Sequence, residues 1–365
     1  MMIVSKQHQI FFDFLRFCIG SAKEIPGSLK EVDWKELYAI VKKQCLVGVL
    51  FDGIKKLPAE YVGMKKELLL QWMAESQMLE KANVRLNNTA IQVSEWFRKK
   101  GFRTCILKGQ GNALMYPNPY SRTPGDIDIW VEGGDKRVIS FVRSISPHEK
   151  ACYHHIEFPS YKGVEVEVHY RPSFLLCFWN NRKLQKYYER VKEEQFSHRV
   201  MLGEQGEIAI PTVEFNLIFQ LTHIFSHLMN EGIGLRQLLD YYYLISMLSV
   251  NCEMLTSLQK ELKELGLWKF AGAIMYIMQE VFGMPASRLI VPPNEKYGKF
   301  VLNEVLEAGN FGKHDARNRF GRSQLGHNLQ RVYRDIRLVR YFPGEALCEP
   351  LFRVWHFFWR MKNKK

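Results

Sequence analysis

An alternating segment that carries two aspartates puts the strongest constraint on how this chain folds. Residues 125–131 read Gly-Asp-Ile-Asp-Ile-Trp-Val. Side chains two residues apart on a β-strand point to the same face of a sheet, so Asp126 and Asp128 project side by side. Two adjacent carboxylates repel each other, and the pair is stable in solvent or beside a divalent cation, commonly Mg²⁺ bound to substrate phosphates. The segment therefore predicts a strand whose polar face is solvated or binds a metal.

A second alternating segment supplies a third carboxylate. Residues 164–169 read Val-Glu-Val-Glu-Val-His, which places Glu165, Glu167 and His169 on one face of a strand. If both strands share a sheet, Glu167 completes a three-carboxylate site of the kind that two-metal phosphoryl or nucleotidyl transfer needs. Glu165 is the competing candidate, because it projects from the same face.

Residues 102–170 follow a pattern that differs from the rest of the chain. Their β-type runs are 103–107, 126–131, 153–158 and 164–169. A crossover helix is predicted at 135–145, and residues 159–163 are the expected hairpin connection between the last two strands. The order β-α-β-α-β-β predicts a compact α/β unit.

Apolar residues recur three and four positions apart on both sides of that unit, which predicts helices. Residues 65–100 contain neither Pro nor Gly and are expected to form one long helix that stops at Gly101. Beyond residue 173, helices are predicted at 234–248, 255–264 and 267–282, with an apolar stripe from 213 to 228. We therefore expect an α+β fold with three parts: an N-terminal helical region (1–100), a small mixed-sheet core (101–172) and a helical C-terminal domain (173–365).

The composition excludes disorder, and the charge balance narrows the class of partner. The 365 residues are 47% hydrophobic and 24% charged, as in folded globular chains. A net charge of +13, of which residues 301–365 contribute +7, is expected to attract a nucleotide, a nucleic acid or an anionic lipid. The sequence has no long apolar run and no secretory signal pattern, and its seven scattered cysteines include no CxxC pair. We expect a cytoplasmic protein without a transmembrane helix.

The segment Ile-Leu-Lys-Gly-Gln-Gly at 106–111 ends a β-type run and enters a helical pattern. Backbone amides at a glycine-bearing strand-to-helix turn bind phosphate, and Lys108 adds a positive charge. The segment is too short for a Walker A loop and lacks the third glycine of a dinucleotide fingerprint. It indicates Lys108 and Gly109 as phosphate contacts, and an ordinary strand end is the other interpretation.

These segments form one ordered set of motifs, together with an arginine that precedes the aspartates. The set comprises Leu107-Lys108-Gly109, Tyr116-Pro117, Arg122, Gly125-Asp126-Ile127-Asp128 and Val166-Glu167-Val168-His169. It resembles the polymerase beta-like nucleotidyltransferase superfamily and, more narrowly, a bacterial family of uncharacterised nucleotidyltransferases. A looser resemblance over the helical remainder rests on His223, His227, Leu235-Arg236, Asp240 and the segment 343–347.

The resemblance implies transfer of a nucleoside monophosphate from a nucleoside triphosphate to a hydroxyl of a sugar, metabolite, protein or RNA. It assigns Asp126, Asp128 and Glu167 as catalytic ligands of Mg²⁺ or Mn²⁺, and Lys108, Gly109, Arg122 and His169 as nucleotide-binding residues. The chain departs from the superfamily pattern where Gln110 follows Gly109 and where the third carboxylate is Glu instead of Asp. The alternative function is a non-catalytic nucleotide or nucleic-acid binding protein that uses the same fold and its basic surface.

Three side chains beside this set have two interpretations each. Arg122 either binds phosphate or pairs with Asp126. His223 and His227 lie four residues apart on a predicted helix, which is the spacing of two ligands to one metal. Packing, or a hydrogen bond to a neighbouring element, is the favoured interpretation of the two histidines, with a role in lining the cleft left open.

The C-terminal residues carry two further patterns. Arg331, Arg334, Arg337 and Arg340 recur every third residue and predict a basic helical stripe that is solvated or binds a nucleic acid. Residues 352–360 are aromatic and basic, and Lys362, Lys364 and Lys365 follow them. We expect a closing core helix with a basic end there. A peripheral membrane helix is the other interpretation.

Overall fold

The structure is a computed structural model that describes residues 5–204, 206–248, 252–317, 320 and 323–363. Its α-helices in this part of the chain are α1 (Lys6–Ile19), α2 (Trp34–Lys43), α3 (Val47–Ile54), α4 (Lys66–Lys99), α5 (Gln110–Ala113), α6 (Gly134–Ile145), α7 (Phe178–Ser197), α8 (Val213–Asn230), α9 (Leu235–Ser246), α10 (Cys252–Glu264), α11 (Trp268–Glu280), α12 (Glu295–Ala308), α13 (Gln324–Val339) and α14 (Pro343–Lys362). Its strands are β1 (Thr104–Ile106), β2 (Ile127–Val131), β3 (His155–Tyr161), β4 (Val164–His169), β5 (Arg199–Met201) and β6 (Glu207–Ala209).

Four strands form a mixed sheet in the order β1-β2-β4-β3. The two alternating segments, β2 and β4, lie side by side and run parallel, while β1 and β3 pair antiparallel with them at the edges. The apolar faces of both central strands are buried in one core, as the alternation predicts. The expected condition that both acidic strands share a sheet is confirmed.

The connection between β3 and β4 is tighter than the expected loop at 159–163. β3 continues to Tyr161, so that only Lys162 and Gly163 form the turn. Both have positive φ, 51° and 73°, as in the two-residue hairpin turns that match strand twist. Pro159 is tolerated inside β3 because β3 is an edge strand, and the register shifts between Phe158 and Tyr161.

The long helix α4 connects two hydrophobic cores. It spans 34 residues and is followed by Gly101, whose φ of 80° suits a helix end, so the prediction of one long helix is confirmed. Near its start, Trp72 is fully buried and donates a hydrogen bond to the Val47 carbonyl at 2.9 Å. Near its end, Val93 and Phe97 pack against the sheet.

The helices on either side of the sheet unit share one core. Phe11 and Phe14 of α1 belong to the same buried cluster as Phe219 of α8 and Phe270 of α11. The sequence boundaries at residues 100 and 172 therefore separate segments that pack together. The hairpin of β5 and β6, which pair antiparallel, was not expected in the helical C-terminal part.

The last two helices correct two expectations about the C-terminal residues. The arginines of α13 do not form a single stripe, because each step of three residues turns the side chain about 60° around a helix. Arg334 is buried and donates to the Asn230 carbonyl, and Arg337 contacts Glu304 at 3.2 Å. On α14, Phe352 is buried but most of the outward side is exposed, so α14 is only in part a core helix. None of the described helices has the length and apolar character needed to cross a bilayer.

Candidate functional site

Three carboxylates meet at one edge of the central strands. Asp128 and Glu167 are register partners on parallel β2 and β4, and Asp126 immediately precedes β2. Asp126, Asp128 and Glu167 each offer an oxygen, and these oxygens lie within 4.8 Å of one another. Glu165 is exposed on the same strand and belongs to no such cluster among the described residues. Of the two competing glutamates, Glu167 is therefore the one placed beside the aspartates.

Asp128 has two cationic partners. Its Oδ1 accepts a hydrogen bond from Lys108 Nζ at 2.8 Å and lies 3.0 Å from His169 Nε2. Lys108 reaches it because the Leu107 N–H donates to the Asp128 carbonyl at 3.0 Å, which continues the β1–β2 pairing by one residue. The carboxylate cluster thus contains its own counter-charges.

The pKa values of these groups follow from their pairing. Burial would raise the pKa of Asp128, but the Lys108 ammonium and the His169 hydrogen bond bring it below its ordinary value. Burial would lower the pKa of His169, and its hydrogen bonds to Asp128 and Glu167 raise it to about 9. Asp126 differs: the Asp128 charge and burial raise its pKa to about 6. Asp126 is the carboxylate whose charge is least compensated.

Three further metal-ligating side chains lie beside Glu167, and the sequence analysis did not single them out. His155 Nδ1 and His169 Nε2 each lie 3.4 Å from Glu167 Oε2. His154 Nε2 is 3.0 Å from His155 Nδ1, and Cys152 Sγ is 3.8 Å from His154 Nδ1. Burial lowers the pKa of His155 to about 4, so its imidazole is neutral and suited to bind a metal. The only signal for them in the sequence is the position of two adjacent histidines at the start of the predicted third strand.

Arg122 does not pair with Asp126, so that expectation is wrong. Its Nε and Nη2 donate to both oxygens of Asp240 on α9, each at 2.8 Å. Tyr116 Oη donates to the same carboxylate at 2.6 Å, and Arg122, Tyr116 and Asp240 are all buried. Burial would raise the pKa of Asp240, and the Arg122 charge holds it below its ordinary value. Arg122 therefore joins the loop before β2 to α9, and its predicted contact with phosphate stays a prediction.

The two histidines of α8 line the site without forming a metal pair. His223 Nε2 lies 3.2 Å from Lys108 Nζ, and His227 Nδ1 lies 3.4 Å from Glu231 Oε2. Neither belongs to a cluster of three metal-ligating groups in the described part of the chain. The favoured interpretation, a hydrogen bond to a neighbouring element, therefore agrees with the placement of His223.

Gly109 forms the turn between Lys108 and the one-turn helix α5. Its φ of 60° and ψ of −102° lie in a region that side-chain-bearing residues rarely adopt. A Cβ at this position would lie 3.7 Å from the Asp126 carbonyl oxygen. The glycine thus brings the backbone close to the aspartates.

The carboxylates and histidines form one wall of a cavity of about 370 Å³. The C-terminal helices also line this cavity, with Arg331 on α13 and Glu349, Arg353, His356 and Arg360 on α14, where Glu349 and Arg353 pair at 2.9 Å. Volumes of this size hold small ligands. A lining that combines carboxylates and histidines with arginines suits a ligand that is both metal-bound and anionic.

Residues 30–283 match the family described as uncharacterised nucleotidyltransferase, which is more than half of the chain. The chain belongs to that family. The matched range contains the carboxylates, Lys108 and the Arg122–Asp240 pair, and it ends before α12. Membership supports nucleotidyl transfer as the general activity.

A comparison with solved structures gave a weak likeness. An antigenic nucleotidyltransferase-like protein from Paracoccidioides brasiliensis is 14% identical, and the alignment covers 61% of this chain and 97% of that chain at a TM-score of 0.33. A likeness at that score supports no conclusion about fold or activity. No curated protein matches the sequence.

Proposed function

We propose that the protein is a divalent-metal-dependent nucleotidyltransferase of the polymerase beta-like superfamily, moving a nucleoside monophosphate from a nucleoside triphosphate to a hydroxyl acceptor. The observation that carries the proposal is the meeting of Asp126, Asp128 and Glu167 on two adjacent parallel strands. When bound there, Mg²⁺ or Mn²⁺ would polarise the acceptor hydroxyl and neutralise the phosphates.

The donor atoms of the site fit such a cation. The three carboxylates supply the oxygen ligands that Mg²⁺ and Mn²⁺ prefer. The neutral imidazole of His155, 3.4 Å from Glu167, adds a nitrogen donor that Mn²⁺ accepts more readily than Mg²⁺. We therefore expect the site to favour Mn²⁺.

The chain's own residues bind and orient the triphosphate in this proposal. Lys108 pairs with Asp128 at 2.8 Å, and it would be available to phosphate oxygens if a divalent cation balanced that carboxylate. Gly109 lets the backbone approach the same phosphates, and Arg360 lines the same cavity as a further positive charge, whereas Arg353 is paired with Glu349 at 2.9 Å. The acceptor oxygen bonds to the α-phosphorus as pyrophosphate leaves, and the hydroxyl proton passes to a carboxylate of the site.

The first test is a thermal-shift screen of the wild type with ATP, GTP, CTP and UTP, each with Mg²⁺, with Mn²⁺ and without metal. A ligand at about a hundred times its dissociation constant adds roughly 2.7 kcal/mol to the free energy of unfolding. We expect a shift with at least one nucleotide that requires metal and is larger with Mn²⁺. A nucleotide shift that is the same with and without metal would contradict the proposal.

The two glutamates of β4 offer a matched pair of variants. Glu167→Gln removes a carboxylate beside Asp128 and is expected to weaken metal-dependent nucleotide binding by at least about tenfold. Glu165→Gln makes the same chemical change on an exposed side chain and is expected to leave binding unchanged. Calorimetric titration of Mn²⁺ and nucleotide into each variant measures both. If both variants lost nucleotide affinity equally, the negative charge of β4, and not metal ligation by Glu167, would account for binding, which would contradict the proposal.

A non-catalytic nucleic-acid binding protein is the second candidate, because the chain has a net charge of +13. Such binding would weaken steeply with salt and persist in the Glu167→Gln variant. This alternative depends on an exposed row of arginines on α13. Arg334 is buried and Arg337 pairs with Glu304, so fewer of these arginines are available to a nucleic acid.

A further inference from the structure

The outer side of the two C-terminal helices is unusually apolar. On α14, the residues Leu347, Leu351, Val354, Phe358 and Met361 are each between 54% and 65% exposed. On α13, Leu325, Leu329, Val332 and Ile336 are between 44% and 69% exposed. Isolated exposed apolar residues are ordinary, but a contiguous patch of this kind marks an interaction surface.

The exposed residues form one stripe along each helix. Their spacing of four, three, four and three residues keeps them on a single face, opposite the buried Glu349 and Phe352 of α14. α13 and α14 are joined by residues 340–342 and pack against each other, and Arg353 reaches Asn328 at 3.4 Å. Because both helices bury their opposite sides against the body of the protein, the two stripes form one outer surface.

The charges on this surface have one sign. The charged side chains of the described residues 323–363 that are exposed are Arg331, Arg340, Arg360 and Lys362. Arg331 and Arg360 also line the cavity of the candidate site, so Arg340 and Lys362 are the charges that lie beside the apolar stripes. The acidic residues of the same segment, Asp335, Glu345 and Glu349, are all buried. Lys364 and Lys365 lie outside the described residues. The outer surface is therefore apolar at its centre and positive at its margins.

We propose that this surface binds the face of an anionic lipid bilayer. Helices that lie in a membrane interface combine an apolar face with Lys and Arg at its margins and with aromatic side chains, as Trp355 and Phe357 supply here. Anionic headgroups attract the exposed basic residues. A symmetric pairing of two copies through the same surface would instead bring positive margins together. The charge pattern thus favours lipid over a second copy of the chain.

The proposal is tested by flotation of the full-length protein with two kinds of vesicle: phosphatidylcholine alone, and phosphatidylcholine with an equal share of phosphatidylglycerol. We expect binding to the second kind only, and weaker binding as salt is added. The double variant Leu351→Glu with Phe358→Glu should lose at least about tenfold in binding, since two apolar anchors become acidic. Both positions are more than 60% exposed, so the variant is expected to unfold at the wild-type temperature.

Met78→Glu is the matched control, because Met78 is 68% exposed on α4. It is expected to float as the wild type does. Light scattering of the same samples without vesicles reports the oligomeric state. The proposal is overturned if the wild type floats with neither kind of vesicle. If light scattering then shows that the wild type is a dimer and the double variant a monomer, the surface binds a second copy of the chain. Binding retained in the double variant would also overturn it.

Discussion

Asp126→Asn and Asp128→Asn are expected to remove metal-dependent nucleotide binding alike, yet to change the stability of the metal-free protein in opposite directions. Each substitution deletes a carboxylate ligand, so the stabilisation by nucleotide and metal, roughly 2.7 kcal/mol at saturating ligand, should vanish in both. Their effects on folding differ because only Asp128 neutralises buried cations, Lys108 at 2.8 Å and His169 at 3.0 Å.

The loss of Asp128 leaves the partly exposed Lys108 without its carboxylate, while the buried His169 keeps only Glu167, 3.4 Å away. Removal of one member of a buried ion pair commonly lowers the free energy of unfolding by about 3–5 kcal/mol. Because Lys108 is partly exposed, we expect Asp128→Asn to lower it by about 3 kcal/mol, the smaller end of that range. Asp126→Asn instead relieves repulsion with Asp128 and is expected to stabilise the protein by about 1 kcal/mol.

The gain from Asp126→Asn depends on pH. A folded-state pKa raised to about 6 means that Asp126 contributes stability below its ordinary value of 3.8 and that this contribution is lost as the pH rises through 6. The asparagine variant should therefore exceed the wild type in stability above pH 6 and lose that advantage below pH 3.8. Metal-free thermal unfolding across this range is the measurement, with Glu165→Gln as the control. Equal destabilisation by both aspartate substitutions would contradict the assigned pairing.

The Arg122–Asp240 pair gives the other large expected effect, on stability and not on ligand binding. Asp240→Ala is expected to lower the free energy of unfolding by about 3–5 kcal/mol, because it leaves the Arg122 guanidinium buried without its carboxylate. It also removes the acceptor of the Tyr116 hydroxyl, 2.6 Å away. Denaturant unfolding of the metal-free variant measures the loss.

A double variant separates the buried charge from simple loss of packing. Arg122→Met with Asp240→Leu replaces both charged groups by apolar ones of similar length, and is expected to recover at least about 2 kcal/mol relative to Asp240→Ala. If the double variant were less stable than the single one, the pair would matter for its packing and not for its charge. Retention of full stability in Asp240→Ala would contradict the role assigned to Arg122.

The central strands and their carboxylates follow from local sequence, because alternation is a property of a few neighbouring residues. The period of two in residues 126–131 and 164–169 fixes which side chains share a face, whereas the register that places Asp128 opposite Glu167 comes from the structure. The long helix α4 follows in the same way from a stretch without Pro or Gly.

The contacts that sequence reasoning missed join distant parts of the chain. Arg122 and Asp240 are 118 residues apart, and nothing local indicates that they pair. Cys152, His154 and His155 have no spacing that marks a metal site, and they approach Glu167 only because β3 pairs with β4. The arginines of α13 were misjudged because burial depends on what a helix packs against, and a repeat of three residues does not follow one helical face.

The salt bridge between Lys108 and Asp128 bears on whether this protein can fold before it binds a metal. Sites that depend on a cation to offset clustered acidic groups often leave the apoprotein unfolded. Here the ammonium group offsets the most deeply placed carboxylate before any cation arrives. If the proposed nucleotidyl transfer needs a divalent cation, we therefore expect the chain to fold whether or not that cation is present and to become active only when the cation binds.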